Sequence, residues 1–152
     1  MQNVKIGPFK IIGTSVRTNN KKGGAGQQIP ELWNEFISEN IADKIPNKVD
    51  GALYALYTDY ESDHTGFYTT IIGCKVKNLD TIPEGMIGKS FDGGNYVQLS
   101  AKGDLTKGVV INKWLEIWEM DLERVYTVDY EVYGEKAQHP ADAEVDFLIA
   151  VK

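Results

Sequence analysis

The chain has 152 residues, of which 42% are hydrophobic and 25% charged, a globular mix that excludes a wholly disordered protein. The formal charge is −6, which disfavours a duplex-DNA binder, because phosphate contacts need clustered Lys and Arg. A single cysteine, Cys74, permits no internal disulfide, and no apolar run reaches the length of a signal core or a membrane span. A reducing cytoplasm is the expected compartment.

Residues 9–18 (FKIIGTSVRT) are β-branched and end at Asn19-Asn20, which reads as a strand. Residues 19–28 are polar and Gly-rich and read as a mobile loop. Ile29, Leu32, Trp33, Phe36, Ile37 and Ile41 then recur at three- and four-residue spacing, so a helix is expected, with Pro30 in its first turn and Pro46 as its stop. Strands are expected over residues 52–60 and 67–76, joined by the turn ESDHTG. A connector follows over residues 78–86, with a further strand at 86–91.

The order then recurs. Residues 96–101 read as a strand, 105–120 as a helix carrying Val109, Trp114, Ile117 and Trp118 on one side, and 125–133 and 143–151 as strands. The letters match as well, Trp33 with Trp114 and Asp59-Tyr60-Glu61 with Asp129-Tyr130-Glu131. The expectation is one α+β domain over 1–152, built from two strand-helix-strand-strand repeats (about 4–78 and 86–152) of SH2-like form. A repeat of half the chain implies pseudo-twofold symmetry, not a solenoid. A central groove between the halves is then a favoured place for a small-molecule site.

Several chemistries are weighed and set aside. Gly24-Ala25-Gly26 lacks the third glycine of a dinucleotide loop. Asp59, Glu61 and Asp63 alternate as in a calcium loop, but the glycine comes late and the closing Glu is missing. His64 and His139 lie in loops and no Cys/His cluster exists, so neither a metal nor a cofactor is expected. Cys74 alternates with Ile72 and Val76 and reads as a buried thiol.

Aromatic residues make up 11% of the chain. Trp33, Phe36 and Trp114 are expected in the core. The strand at 125–133 says more: Tyr126, Val128, Tyr130 and Val132 share one face, and Asp129, Glu131 and Tyr133 the other. A carboxylate beside tyrosines could line a cleft for a flat organic cation, each aromatic face adding about 0.5–2 kcal/mol. The plain alternative is a solvated strand carboxylate.

The segments IIGTSVRTNN, IPELWNEF, YTDYESD, YTTIIGCKV, NKWLEIWEM and VDYEVY together resemble the gyrase-inhibitor-like, or AraC-type, effector-binding domain family, over nearly the whole chain. The resemblance implies two strand-helix-strand-strand units with a ligand groove between them, and a stand-alone member similar to integron cassette-encoded proteins that bind cationic drugs. The family's buried acid lies in an Asp-Phe-Glu-x-Tyr motif, which reads here Asp129-Tyr130-Glu131-Val132-Tyr133. Glu131 is therefore the expected acidic ligand contact. Tyr57, Tyr96, Trp118 and Phe147 are the expected groove aromatics, with Tyr60 and Phe36 behind them. The implied partner is a bulky aromatic cation, with no direct nucleic-acid or membrane contact. A separate transcription regulator or a topoisomerase is the possible protein partner. The resemblance also leaves a hydrolase of strained small molecules as an alternative, with Glu131 as general base. The Gly-rich composition of the loop at 19–28 makes it a candidate lid over the ligand.

Overall fold

The computed structural model describes every residue except Lys22, Gly23 and His64. The expectations for His64, and for a lid that includes Lys22 and Gly23, lie outside the described residues. Eight strands form one antiparallel sheet: β1 (Gln2–Ile6), β2 (Phe9–Thr18), β3 (Leu53–Thr58), β4 (Tyr68–Val76), β5 (Ile87–Phe91), β6 (Gly94–Gly103), β7 (Val128–Tyr133) and β8 (Ala143–Ala150). The spatial order is β1-β6-β8-β7-β3-β4-β2-β5. Strands β3 and β7 thus lie side by side at the centre. The outermost strands are exchanged: β1 covers β6, while β5, which precedes β6 in the chain, covers β2.

The helices are α1 (Ala25–Ser38), the single turn α2 (Ile41–Lys44) and α3 (Val109–Glu119). Strand β1 was not legible in the polar opening residues. The first helix begins at Ala25 rather than Ile29, so Pro30 lies inside it, and Asn40 in the left-handed region (φ 51°) separates it from α2. In the second half, the helix expected over 105–120 is two pieces. A 3-10 turn at Leu105–Lys107 ends at Gly108, whose φ of 76° breaks the α-helical path before α3.

Period-2 alternation sends the two faces of the sheet to different cores. On one face, Ile12, Ala55, Ile72 and Cys74 pack beneath Leu32 and Phe36 of α1. Val97, Leu99, Val145, Phe147 and Ile149 pack beneath Trp114 and Ile117 of α3. The opposite face buries Phe9, Ile11, Tyr54, Leu56, Ile71, Phe91, Tyr96 and Tyr130, all of them strand residues. The Tyr130 ring is their hub, with Phe9 at 5.4 Å, Tyr96 at 5.8 Å and Tyr54 at 6.2 Å between centroids. Cys74 is buried, and burial pushes its thiol up to about 11, which keeps it unreactive.

Strands β2 and β4 approach unusually closely where Gly13 faces Gly73. A Cβ on Gly13 would lie 2.1 Å from the Ile72 carbonyl oxygen, and one on Gly73 would lie 2.2 Å from that of Ile12. Backbone cannot yield as a side chain can. Gly73→Ala is therefore expected to lower the free energy of unfolding by about 3 kcal/mol, at the upper end of ordinary overpacking. Gly26→Ala, where nothing lies within 4 Å, is expected to raise it by about 0.5–1 kcal/mol through helix propensity. Urea unfolding of the two variants beside the parent checks both signs.

Candidate functional site

The central strands meet in a fixed register, Leu53 opposite Tyr133, Ala55 opposite Glu131 and Tyr57 opposite Asp129. All six point to the helix-bearing face. Above Leu53, Tyr57, Glu131 and Tyr133 of this pair, between α1 and α3, lies open space. That space is a cavity of about 1030 Å³, at the upper end of small-molecule sites.

Its walls are two helical stripes. Ile29, Trp33 and Ile37 lie at four-residue spacing along α1, and Val110, Trp114 and Trp118 along α3. Its floor is Leu53, Tyr57, Glu131 and Tyr133, and Tyr60, Tyr68 and Arg124 close one end. Ile37 and Ile111 are more than half exposed, which places them at the mouth.

Glu131 is 1% exposed and accepts three hydrogen bonds. The Tyr57 hydroxyl (2.7 Å) and the Trp114 indole Nε1 (2.6 Å) donate to Oε2, and the Tyr133 hydroxyl (2.6 Å) donates to Oε1. No Lys, Arg or His pairs with it among the described residues. Burial raises its pKa above the ordinary 4.5, and the donors from Tyr133, Trp114 and Tyr57 oppose that rise without cancelling it. Burial and the neighbouring carboxylate hold the Tyr57 and Tyr133 hydroxyls well above 10, so both remain proton donors.

Asp129, two residues earlier on the same face, is held differently. It is fully buried, and Arg124 Nη2 donates to its Oδ2 at 2.7 Å as a paired cation. The Tyr60 hydroxyl donates to Oδ2 at 2.6 Å, and the Ala150 backbone N–H to Oδ1 at 2.8 Å. The Arg124 guanidinium also stacks on Tyr126, 4.3 Å from its ring centroid. Two buried carboxylates thus share one strand face, and among the described residues one has its own cation and the other has none.

The aromatic contacts fix the ring positions. Tyr57 meets Trp114 edge-on at 5.3 Å, and Trp33 meets Tyr133 edge-on at 4.9 Å. Phe147 supports Trp114 from below at 5.5 Å.

Of the residues expected at the site, Glu131, Tyr57, Tyr60 and Trp118 line the cavity. Three others do not. Phe36 is 1% exposed on the core stripe of α1, and Phe147 is fully buried beneath Trp114. Tyr96 points to the far face of the sheet and packs on Tyr130, because its position in β6 has the wrong parity. Trp114 is in the core as expected and its ring also lines the cavity, while Trp33, expected in the core, is only partly buried and lines the cavity too. Tyr133, which the alternation of β7 puts on the same face as Glu131, lines the cavity as well. The letter match of Asp59 with Asp129 does not extend to their surroundings. Asp59 lies past the end of β3 at φ 50° and pairs with Lys89 in solvent. Tyr126, expected in the strand, lies before it at φ 57°. Among the described residues, no group of three or more His, Cys, Asp or Glu is arranged to hold a metal ion. No described helix is long and apolar enough to cross a membrane.

Residues 4–151 match the integron-associated effector binding protein family, and the chain belongs to it. An integron cassette protein from the mobile metagenome of Vibrio cholerae is 32% identical, with a TM-score of 0.76 over 99% of this chain and 95% of that one. YobU of Bacillus subtilis (strain 168), named as a candidate transcriptional regulator, is 27% identical over 94% of this chain and 92% of its own. The structure of SAV2435 bound to tetraphenylphosphonium has the same fold, with a TM-score of 0.81 at 17% identity, over 99% of this chain and 93% of that one.

The raised Glu131 pKa has a consequence for folding. An acid bound more tightly to its proton in the folded state contributes stability that is present at low pH and lost as pH rises through its folded value. The stability of the parent relative to Glu131→Gln is therefore expected to fall as pH climbs above 4.5. Paired urea titrations across that range test the sign. A difference that grows with pH would contradict it.

Proposed function

We propose that this protein is a single effector-binding domain that captures bulky aromatic cations in the cavity between α1 and α3. Its two strand-helix-strand-strand repeats, about 4–78 and 86–152, would be related by a pseudo-twofold axis through the β3–β7 pair. The observation that carries the reading is the buried Glu131 carboxylate, surrounded by neutral donors and aromatic rings and, among the described residues, paired with no cation.

Burying an ion is costly unless it is paired. Hydrogen bonds from two tyrosines and a tryptophan hold the carboxylate in place without neutralising it. A lipophilic cation entering the cavity supplies the missing charge. At about 4 Å and an effective dielectric of about 20, the gross attraction is about 4 kcal/mol before desolvation. Trp33, Trp114, Trp118 and the floor tyrosines line the cavity, and each ring face turned to the cation adds about 0.5–2 kcal/mol. The likeness to a fold that holds tetraphenylphosphonium supports a ligand of this chemistry. The donors already engaged with Glu131 favour a fixed charge over a proton acceptor, which is why binding is preferred to hydrolysis. The biological act would be drug sequestration in the cytoplasm, or sensing relayed to a separate regulator.

A tryptophan-fluorescence titration with methyltriphenylphosphonium, beside a neutral triaryl analogue of similar shape, tests this. Saturable quenching by the cation is expected, with the neutral compound at least tenfold weaker. Glu131→Gln should weaken the cation by about tenfold or more while leaving the neutral compound unchanged. Cation affinity should also fall as pH drops through the raised Glu131 value, because protonation removes the charge, and that pH dependence should vanish in Glu131→Gln. Equal binding of both compounds would sink the proposal. Turnover of a bound compound that Glu131→Gln abolishes would replace it with the enzymatic reading.

A further inference from the structure

The cavity wall contains a second charged side chain whose role the cation reading does not use. Among the described lining residues, Arg124 and Glu131 are the charged ones. The Arg124 side chain is only 6% exposed, and its cationic end is tied to the fully buried Asp129. Three buried charges therefore bear on a ligand: two carboxylates and one guanidinium.

We propose that Arg124 is the residue that sets the charge of the ligand. By neutralising Asp129 it leaves the cavity with a single uncompensated negative charge, so that monocations are taken in preference to dications of the same scaffold. The inference rests on Glu131 being the counter-ion of a bound cation.

Geometry makes the count matter. Asp129 and Glu131 are two residues apart on one strand face, hence about 7 Å apart along β7. A charge at that distance in an effective dielectric of about 20 changes affinity by more than tenfold. The second charge of a dication would have to lie near the Arg124 guanidinium, or leave the cavity for water. Stacking on Tyr126 and the bond to Asp129 hold that guanidinium in place, so it cannot withdraw to make room. Asp129 keeps two further donors, the Tyr60 hydroxyl and the Ala150 N–H. Removing the guanidinium takes away the positive charge set against Asp129 and leaves the cavity more negative.

Ethidium and propidium share one phenanthridinium ring system, and propidium adds a second quaternary ammonium. Fluorescence titration of both dyes is run against the full chain and its Arg124→Met, Asp129→Asn and Glu131→Gln variants. The parent is expected to favour ethidium. Arg124→Met should shift the ratio toward propidium by about tenfold or more. Asp129→Asn, which leaves the guanidinium unopposed, should weaken both dyes and propidium the more. Should Arg124→Met not fold, as judged by circular dichroism, the Asp129→Asn comparison and the double variant Arg124→Met/Asp129→Asn decide. The double variant restores the parental charge and must restore the parental ratio. A parent that binds propidium as tightly as ethidium, or a dye ratio unmoved by these changes, overturns the inference while leaving the cation site intact. Ethidium binding that Glu131→Gln does not weaken overturns both.

Discussion

A carboxylate taken out of water without a counter-ion is the constraint around which the helix-bearing half of this protein is arranged. Glu131 is nine-tenths and more buried, and its three donors are neutral. Neutral donors lower the cost of the charge but do not remove it, and the pKa stays raised. The carboxylate in turn fixes its neighbours. It holds the Tyr57 and Tyr133 hydroxyls in their protonated form, and it draws the Trp114 indole edge to the floor of the cavity. The aromatic walls are therefore oriented before any ligand arrives, which spares a ligand the entropy of ordering them.

The contrast with Asp129 shows how local the distinction is. Both acids lie on one face of one strand, and both are buried. Asp129 sits where the chain returns from α3, so Arg124 can reach it and a backbone N–H of β8 can cap it. Glu131 sits one pleat further on, opposite Ala55 and Phe147, and among the described residues no basic side chain pairs with it. The first arrangement is a buried ion pair that pins the C-terminal strands. The second is a charge left available to a partner from outside.

The architecture separates packing from binding. On α1, Leu32 and Phe36 face the sheet, while Ile29, Trp33 and Ile37 face the cavity. On α3, Ile117 faces the sheet, while Val110, Trp114 and Trp118 face the cavity. Each helix is thus apolar over a wider arc than a core alone requires. Much of this was legible in the sequence. The order of elements follows from periodicity, and the alternation in β7 places Glu131 beside Tyr133. What periodicity does not say is which of two adjacent helical stripes meets the sheet, so Phe36 is in the core but not at the cavity, while Trp33, expected in the core, lines the cavity. The parity of β6 was equally hidden, because both Tyr96 and Val97 are apolar and buried and either could face the helices. The breaks at Asn40 and Gly108 were missed because each lies within an otherwise helical pattern. Strand β1 is hard to read because its alternation, Val4 and Ile6 against Asn3 and Lys5, spans only five residues at the chain's start.

The account stands on Glu131 being an uncompensated charge that a cation neutralises, and linkage makes that claim directly measurable. The most direct test is an NMR titration of the Glu131 side-chain carboxyl, ligand-free and saturated with methyltriphenylphosphonium, with Glu131→Gln used to assign the signal. The account predicts a ligand-free value above the ordinary carboxylate range that falls clearly when the cation is bound, because binding and proton release are two sides of one coupling. A value that the bound cation leaves unmoved would show that Glu131 is not its counter-ion, and the central claim would be wrong.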